Sequence, residues 1–226
     1  MNRNNILFME DKFFMTLTNA NIHFNAIANQ AFGSLFSTEQ MSDIIRNKGR
    51  SGQLLEKALG LANTNVNRDF EDGELKTNKC DASGKPLETI AITQISSHIE
   101  DLINAVPFEN TWLYEKISNM LYIPVCKEGT PENWFFLPSI HIDLTSKKYE
   151  SIMKQLKEDY EHICSEIKKT CDAGKTLSTI NGKYIQIRTK DSAPYHPIIS
   201  STYGKVSDKN RAFYFKKEFI NAIKEI

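Results

Sequence analysis

The chain has 226 residues, 40% of them hydrophobic and 25% charged, and its 28 Lys plus Arg balance 28 Asp plus Glu. A net charge of zero excludes attraction of nucleic acid by bulk charge, so binding to such a polymer would need a local basic cleft. The length suits one large domain or two small lobes sharing a core.

Residues 1–18 are interrupted by Asn4, Asn5, Glu10, Asp11 and Lys12. They fit neither a signal peptide nor a membrane span, which predicts a cytoplasmic protein. Over residues 21–36, Ile22, Phe24, Ile27, Ala28, Phe32 and Leu35 recur near the helical period. Ser37 or Thr38 can cap a further helix, with Glu39 in its first turn and Met41, Ile44 and Ile45 as its apolar face. Lys48-Gly49-Arg50 reads as a loop. A short helix follows from Ser51 through Leu54, Leu55, Ala58 and Leu59, and Gly60 stops it. Residues 61–73 are polar and aperiodic.

Strand signals begin at Glu74. Residues 74–77 and the β-branched run 87–95 flank a Gly84-Lys85-Pro86 turn, which predicts a β-hairpin. Residues 120–125 and 134–143 read as further strands, and Pro124 and Pro138 imply edge positions or strand ends. Residues 146–172 form the clearest helix, with Tyr149, Ile152, Met153, Leu156, Tyr160, Ile163 and Ile167 as a core-facing stripe and Gly174 at its end. Residues 184–190 alternate, with Ile185 and Ile187 on one face and Gln186, Arg188 and Lys190 on the other. Residues 211–226 close the chain as a basic helix or a strand–helix unit. With no repeat and no long linker, a single domain over residues 1–226 is expected, and residues 1–20 have no assigned role. Cys80, Cys126, Cys164 and Cys171 are dispersed without a Cys-x-x-Cys pair. That speaks against a structural zinc site and for reduced thiols.

One stretch carries chemistry: Asp69-Phe70-Glu71-Asp72-Gly73-Glu74-Leu75-Lys76. Glu74 and Lys76 are two apart, so on a strand they share a face. A turn brings an upstream carboxylate to that face. Two carboxylates hold a hard cation through oxygen, and a lysine steadies water or phosphate beside it. Glu-x-Lys alone is common on exposed strands, so its weight comes from the surroundings.

Those surroundings are collinear motifs. They run Arg46-Asn47-Lys48-Gly49, Leu54-Leu55-Glu56, Asp69-Phe70, Glu74-Leu75-Lys76-Thr77 and Gly84-Lys85-Pro86-Leu87-Glu88-Thr89. Leu121-Tyr122-Ile123-Pro124-Val125, the segment from Tyr184 to Lys190 and Phe213-Tyr214-Phe215-Lys216-Lys217 follow. In this order the chain resembles the MutH family of DNA endonucleases, which spans mismatch-repair nickases and type II restriction enzymes that cut at GATC. The resemblance runs from about residue 29 to about residue 223.

The resemblance implies an α/β (mixed α+β), restriction-endonuclease-like fold, a mixed sheet flanked by helices with two arms forming a DNA cleft. It implies a Mg2+-dependent endonuclease on double-stranded DNA, with no membrane association and with a MutL-like activator or a second copy of the chain as partner. Asp69, Glu74 and the Leu75 carbonyl would hold magnesium. Lys76 would be the catalytic lysine, with Glu56 and Lys116 as supporting acid and base. Lys48, Gly49, Glu88, Arg188, Lys190 and Tyr214 would face DNA, Tyr214 matching the position that senses adenine methylation.

The chain departs from the family at three points. Only four residues separate Asp69 from Glu74, so Asp72 stands as an alternative ligand to Asp69. Thr189 replaces a proline, and Ala91 replaces a bulky aromatic. The shortened interval also leaves open a catalytically impaired DNA-binding module.

Overall fold

The computed structural model describes residues 16–46 and 69–226, a mixed α+β architecture in which a mixed sheet is flanked by helices. In chain order the helices are α1 (Leu17–Ile27), α2 (Phe32–Leu35), α3 (Thr38–Arg46), α4 (Ile99–Ile103), α5 (Trp112–Ile117), α6 (Glu150–Asp172) and α7 (Lys217–Lys224). The strands are β1 (Glu74–Cys80), β2 (Ile90–Gln94), β3 (Asn119–Cys126), β4 (Phe135–Phe136) and β5 (Ile140–Asp143). After them come β6 (Ile180–Asn181), β7 (Ile185–Thr189), β8 (Ile198–Ser200), β9 (Gly204–Ser207) and β10 (Arg211–Phe215). Among the described residues no helix is long and apolar enough to cross a membrane. Lys48, Gly49 and Glu56, expected at the site, lie outside the described residues, as does the expected helix from Ser51 to Leu59.

The described residues form two compact units. The first combines the segment up to Glu88 with residues 119–143, and the second holds residues 89–118 and 144–226. In the first unit β3 is central. Glu74 to Cys80 pair in parallel with Met120 to Cys126, and β4 and β5 pair antiparallel on the other side of β3. A strand with neighbours on both edges and covered faces reads as a continuous apolar run, and β3 is buried from Met120 onward. Pro124 is therefore not at the sheet edge. It falls between the segment that meets β5 (Asn119 to Tyr122) and the segment that meets β4 (Val125 and Cys126), where a missing N–H costs no ladder bond on that side. Pro138 sits in the matching gap between β4 and β5 and splits the expected strand 134–143 in two.

The expected hairpin between β1 and β2 does not form. Between its two arms the backbone makes a Cys80–Pro86 bridge and a Leu87 N–H bond to the Lys79 carbonyl at 2.9 Å, but no ladder. The chain then leaves for the second unit, where β2 pairs with β10. Parallel pairing of β1 with β3 needs a long crossover, and residues 81–118 provide it.

The core of the first unit joins Leu17, Ala20 and Phe24 of α1 with Phe32, Phe36, Met41, Phe70, Leu75, Leu121, Ile123, Val125 and Phe136. The helical period of residues 21–36 is split at Asn29, which takes a left-handed φ of 62° between α1 and α2. In the second unit an antiparallel sheet runs β2-β10-β7-β6. The apolar stripe of α6 is buried as expected at Ile152, Leu156, Tyr160, Ile163 and Ile167.

Two residues fix the entry to β1. Asp72 Oδ1 accepts the Leu17 N–H at 2.8 Å, satisfying a first-turn donor of α1 that no intrahelical carbonyl can reach. Gly73 has no room for a side chain, because a Cβ there would lie 2.3 Å from the Asn119 carbonyl oxygen and 2.5 Å from Leu17 Cδ1. Gly73→Ala should therefore cost about 1–3 kcal/mol by overpacking, and Asp72→Ala about 1 kcal/mol by removing the acceptor of the Leu17 N–H. Denaturant midpoints of the two variants check both values.

Candidate functional site

The Asp69–Gly73 loop is built to aim a carboxylate. Phe70 is 4% exposed in the core, and its N–H donates to the Gly73 carbonyl at 3.0 Å, closing the loop on itself. With Phe70 anchored inside, Asp69 Oδ2 accepts the Leu75 N–H at 2.9 Å. Among the described residues β1 is an edge strand whose ladder neighbour is β3. A residue in extended backbone presents its N–H and C=O toward the same edge. The Asp69 carboxylate and the Leu75 carbonyl therefore share one edge at the start of β1.

Glu74 and Lys76 occupy one face of β1. Lys76 Nζ lies 2.5 Å from Glu74 Oε1, and their side chains are only 6% and 12% exposed for Glu74 and Lys76 respectively. A carboxylate this deeply buried is stable as an anion only beside a compensating charge. Lys76 supplies that charge. The same face continues to Asn78, whose Oδ1 accepts the Tyr122 hydroxyl at 2.5 Å. Parallel register sets Tyr122 directly beside Lys76. Burial drives the Tyr122 phenol far above its ordinary range, so it stays a neutral donor.

This arrangement bears on a metal ion. Asp69 and Glu74 offer carboxylate oxygens and Leu75 a carbonyl, the hard donors that magnesium prefers. No group of three or more His, Cys, Asp and Glu residues forms a cation cage among the described residues. A two-carboxylate site suits magnesium, which keeps several waters and borrows substrate phosphate oxygens. Asp72, the alternative ligand, is committed to α1 through its side chain, and its carbonyl accepts the Asn119 amide at 2.6 Å.

Glu88 lies farther along the edge of β1. Its Oε1 accepts the Lys79 N–H at 2.9 Å, so its carboxylate is held by the strand that carries Glu74 and Lys76. Lys116 is in the second unit, half-buried on α5, a helix capped by Thr111, whose Oγ1 accepts the Tyr114 N–H at 3.1 Å.

The second unit brings Arg188, Lys190 and Tyr214 together. β7 and β10 pair with Phe213 opposite Ile187 and Tyr214 opposite Gln186. Phe213, Phe215, Ile185 and Ile187 therefore fill the core face, while Tyr214, Gln186 and Arg188 share the other. The Arg188 guanidinium lies 4.9 Å from the Tyr214 ring centroid and Lys190 Nζ 5.8 Å from it. Arg188 also donates to Thr89 Oγ1 at 3.3 Å. Two cations over one phenol ring are held by its quadrupole and remain displayed on the surface. Thr189 continues β7 into register with Arg211, a place that suits a β-branched residue. Ala91 stands across from Tyr214 on β2.

Sequence reasoning missed the residue that sets this face in place. Asp159 of α6 is 4% exposed. Its Oδ1 accepts the Lys183 N–H at 2.8 Å, and its Oδ2 accepts the Tyr184 and Ile185 N–H groups at 2.5 and 3.0 Å. A Cβ on Gly182 would come within 2.5 Å of Asp159 Cγ, so the approach needs glycine. The available signal was an acid placed three residues after Leu156 on the buried face of an amphipathic helix.

No family model matches the chain. The chain is 29% identical over 185 residues to the DNA mismatch repair protein MutH of Shigella flexneri serotype 5b (strain 8401), covering 79% of this chain and 77% of that protein. The same identity and coverage hold for the DNA mismatch repair protein MutH of Escherichia coli (strain K12 / DH10B). Over more than three quarters of both lengths, the chain is thus similar to mismatch-repair proteins of the MutH family.

Proposed function

We propose that this protein is a magnesium-dependent endonuclease that hydrolyses phosphodiester bonds of duplex DNA at GATC-like sites, in the manner of its mismatch-repair relatives. The observation that carries the reading is the edge of β1, where Asp69 is hydrogen-bonded to the Leu75 amide and Glu74 is paired with Lys76. Asp69, Glu74 and the Leu75 carbonyl would hold the ion. Magnesium bound there supplies Lewis acidity toward a phosphoryl oxygen and lowers the pKa of a coordinated water.

The chain's own residues do the rest. Lys76 enters the reaction already desolvated, so its ammonium acts in a low dielectric, where stabilising charge on the phosphorane is worth most. Glu74 holds that ammonium in place before substrate arrives. Tyr122, kept neutral by burial, walls the lysine on the β3 side without competing for its charge. Glu56 and Lys116 are assigned supporting roles by family resemblance. Arg188 and Lys190 are the residue types that pair with guanine O6 and N7, and Tyr214, whose ring lies beneath them, is assigned by family resemblance to report an added methyl group on adenine. Lys48, Gly49 and Glu88 complete the DNA-facing set, and a MutL-like activator or a second copy of the chain on DNA is the proposed partner.

Cleavage of a GATC plasmid tests the reading. With magnesium, unmethylated DNA should be cut and fully methylated DNA spared. Asp69→Ala, Glu74→Gln and Lys76→Ala should each lower the rate by at least about 10²–10³-fold, while Asp72→Ala still cuts. Nicked product marks the repair type, and linear product a restriction type. Binding without cleavage in the wild type, unchanged in Asp69→Ala and Lys76→Ala, would leave only a DNA-binding module.

A further inference from the structure

The segment that follows Lys190 is a built structure that the recognition cluster does not use. Asp191, whose side chain is 8% exposed, gathers it. Its carboxylate accepts the Ser192 N–H at 3.1 Å, the His196 N–H at 2.5 Å and the Asn210 N–H at 3.1 Å, and it pairs with His196 Nδ1 at 3.0 Å. These bonds, led by the His196 amide, hold the Asp191 carboxyl at about 2, so it is an anion throughout the working range. The Lys190 N–H donates to the Asn210 carbonyl at 3.0 Å, which ties the segment to the end of the β7–β10 ladder.

What the anchor displays is aromatic and basic. Tyr195 is 49% exposed, a large ring with no core to fill. Lys209 Nζ lies 4.2 Å from the centroid of that ring. The His196 side chain is 72% exposed on the same segment. The carboxylates beside them are engaged, Asp191 with His196 and Asp208 with Lys205 at 2.7 Å. Arg211 fixes the base of the return strand through Ser207 Oγ at 3.0 Å and the Leu177 carbonyl. The result is a platform of one lysine, one phenol ring and one imidazole on a rigid mount. Its anchor, Asp191, lies only three positions beyond Arg188, about 10 Å along an extended chain.

We infer that Tyr195, His196 and Lys209 form a second DNA contact, a platform that grips backbone phosphates flanking the bases read by Arg188 and Lys190. This rests on the proposed function, since it places the platform beside a DNA-reading face. The ring of Tyr195 orients the Lys209 ammonium by its quadrupole and packs against sugar, while Lys209 and His196 meet phosphate oxygens. Asp191 is a positioning residue that acts through His196. Phosphate contacts carry no sequence information, so the platform adds affinity and salt dependence without adding specificity.

Fluorescence anisotropy across a series of KCl concentrations tests this, using one duplex with a GATC site and one without. Lys209→Ala and Tyr195→Ser are surface changes that spare the Asp191 anchor. Lys209→Ala should weaken binding to both duplexes alike, by about 3–10-fold, and reduce the slope of log K against log salt by about one. Tyr195→Ser should weaken both in the same sense. Wild-type affinity and slope in Lys209→Ala, or a loss confined to the GATC duplex, would overturn the platform alone. A wild-type protein that binds neither duplex would contradict the proposed function and the platform with it.

Discussion

The packing of Gly73 against the Asn119 carbonyl is the constraint on which the site depends. It leaves no space between the loop and β3, so the chain must enter β1 at one depth and one register. From that fixed entry the two aspartates of the loop part ways. Asp72 turns back to the first turn of α1, and Asp69 turns forward to the Leu75 amide. A loop shorter than the family's thus still delivers an offset carboxylate, because Phe70 is sunk in the core and Gly73 closes the turn. One carboxylate serves the fold and the other serves the edge of β1.

The second unit repeats the principle with a different carboxylate. Asp159 receives three consecutive backbone N–H groups and so determines where β7 begins. Ladder register then carries that position to Arg188, Lys190 and Tyr214. In both units a carboxylate that accepts backbone N–H groups sets the start of a strand, and that strand presents Glu74 and Lys76 in one unit and Arg188 in the other. Strand-borne groups lose less precision than loop-borne ones, which suits a reaction that rewards preorganised charge.

Much of this was legible because it obeys short-range rules. The period-two pattern of Glu74 and Lys76, of Ile185 and Ile187 and of Gln186 and Arg188, and the stripe of α6, are readable from spacing alone. The features that were not legible are long-range. Asp72 caps a helix 55 residues away, and nothing near Asp72 in the sequence announces it. The chain does turn between Asp81 and Gly84, yet β2 finds its partner in β10, within the second unit, since register between distant strands overrides a local hairpin signal. Pro124 suggested an edge and instead marks the seam between two partners of a central strand. Asp159 was hidden because an acid among apolar helix residues reveals its purpose only when the accepting backbone is in view.

The central claim is that Asp69, and not Asp72, joins Glu74 in holding a divalent ion at the start of β1. Titration of Mn2+ into the duplex-bound protein, followed by the loss of free-ion signal in electron paramagnetic resonance, reads this without relying on turnover. The account predicts wild-type affinity in Asp72→Ala and at least a roughly tenfold loss in Asp69→Ala, the scale expected when a ligand is removed. Mn2+ affinity unchanged in Asp69→Ala, or lost in Asp72→Ala while Asp69→Ala retains it, would contradict the account.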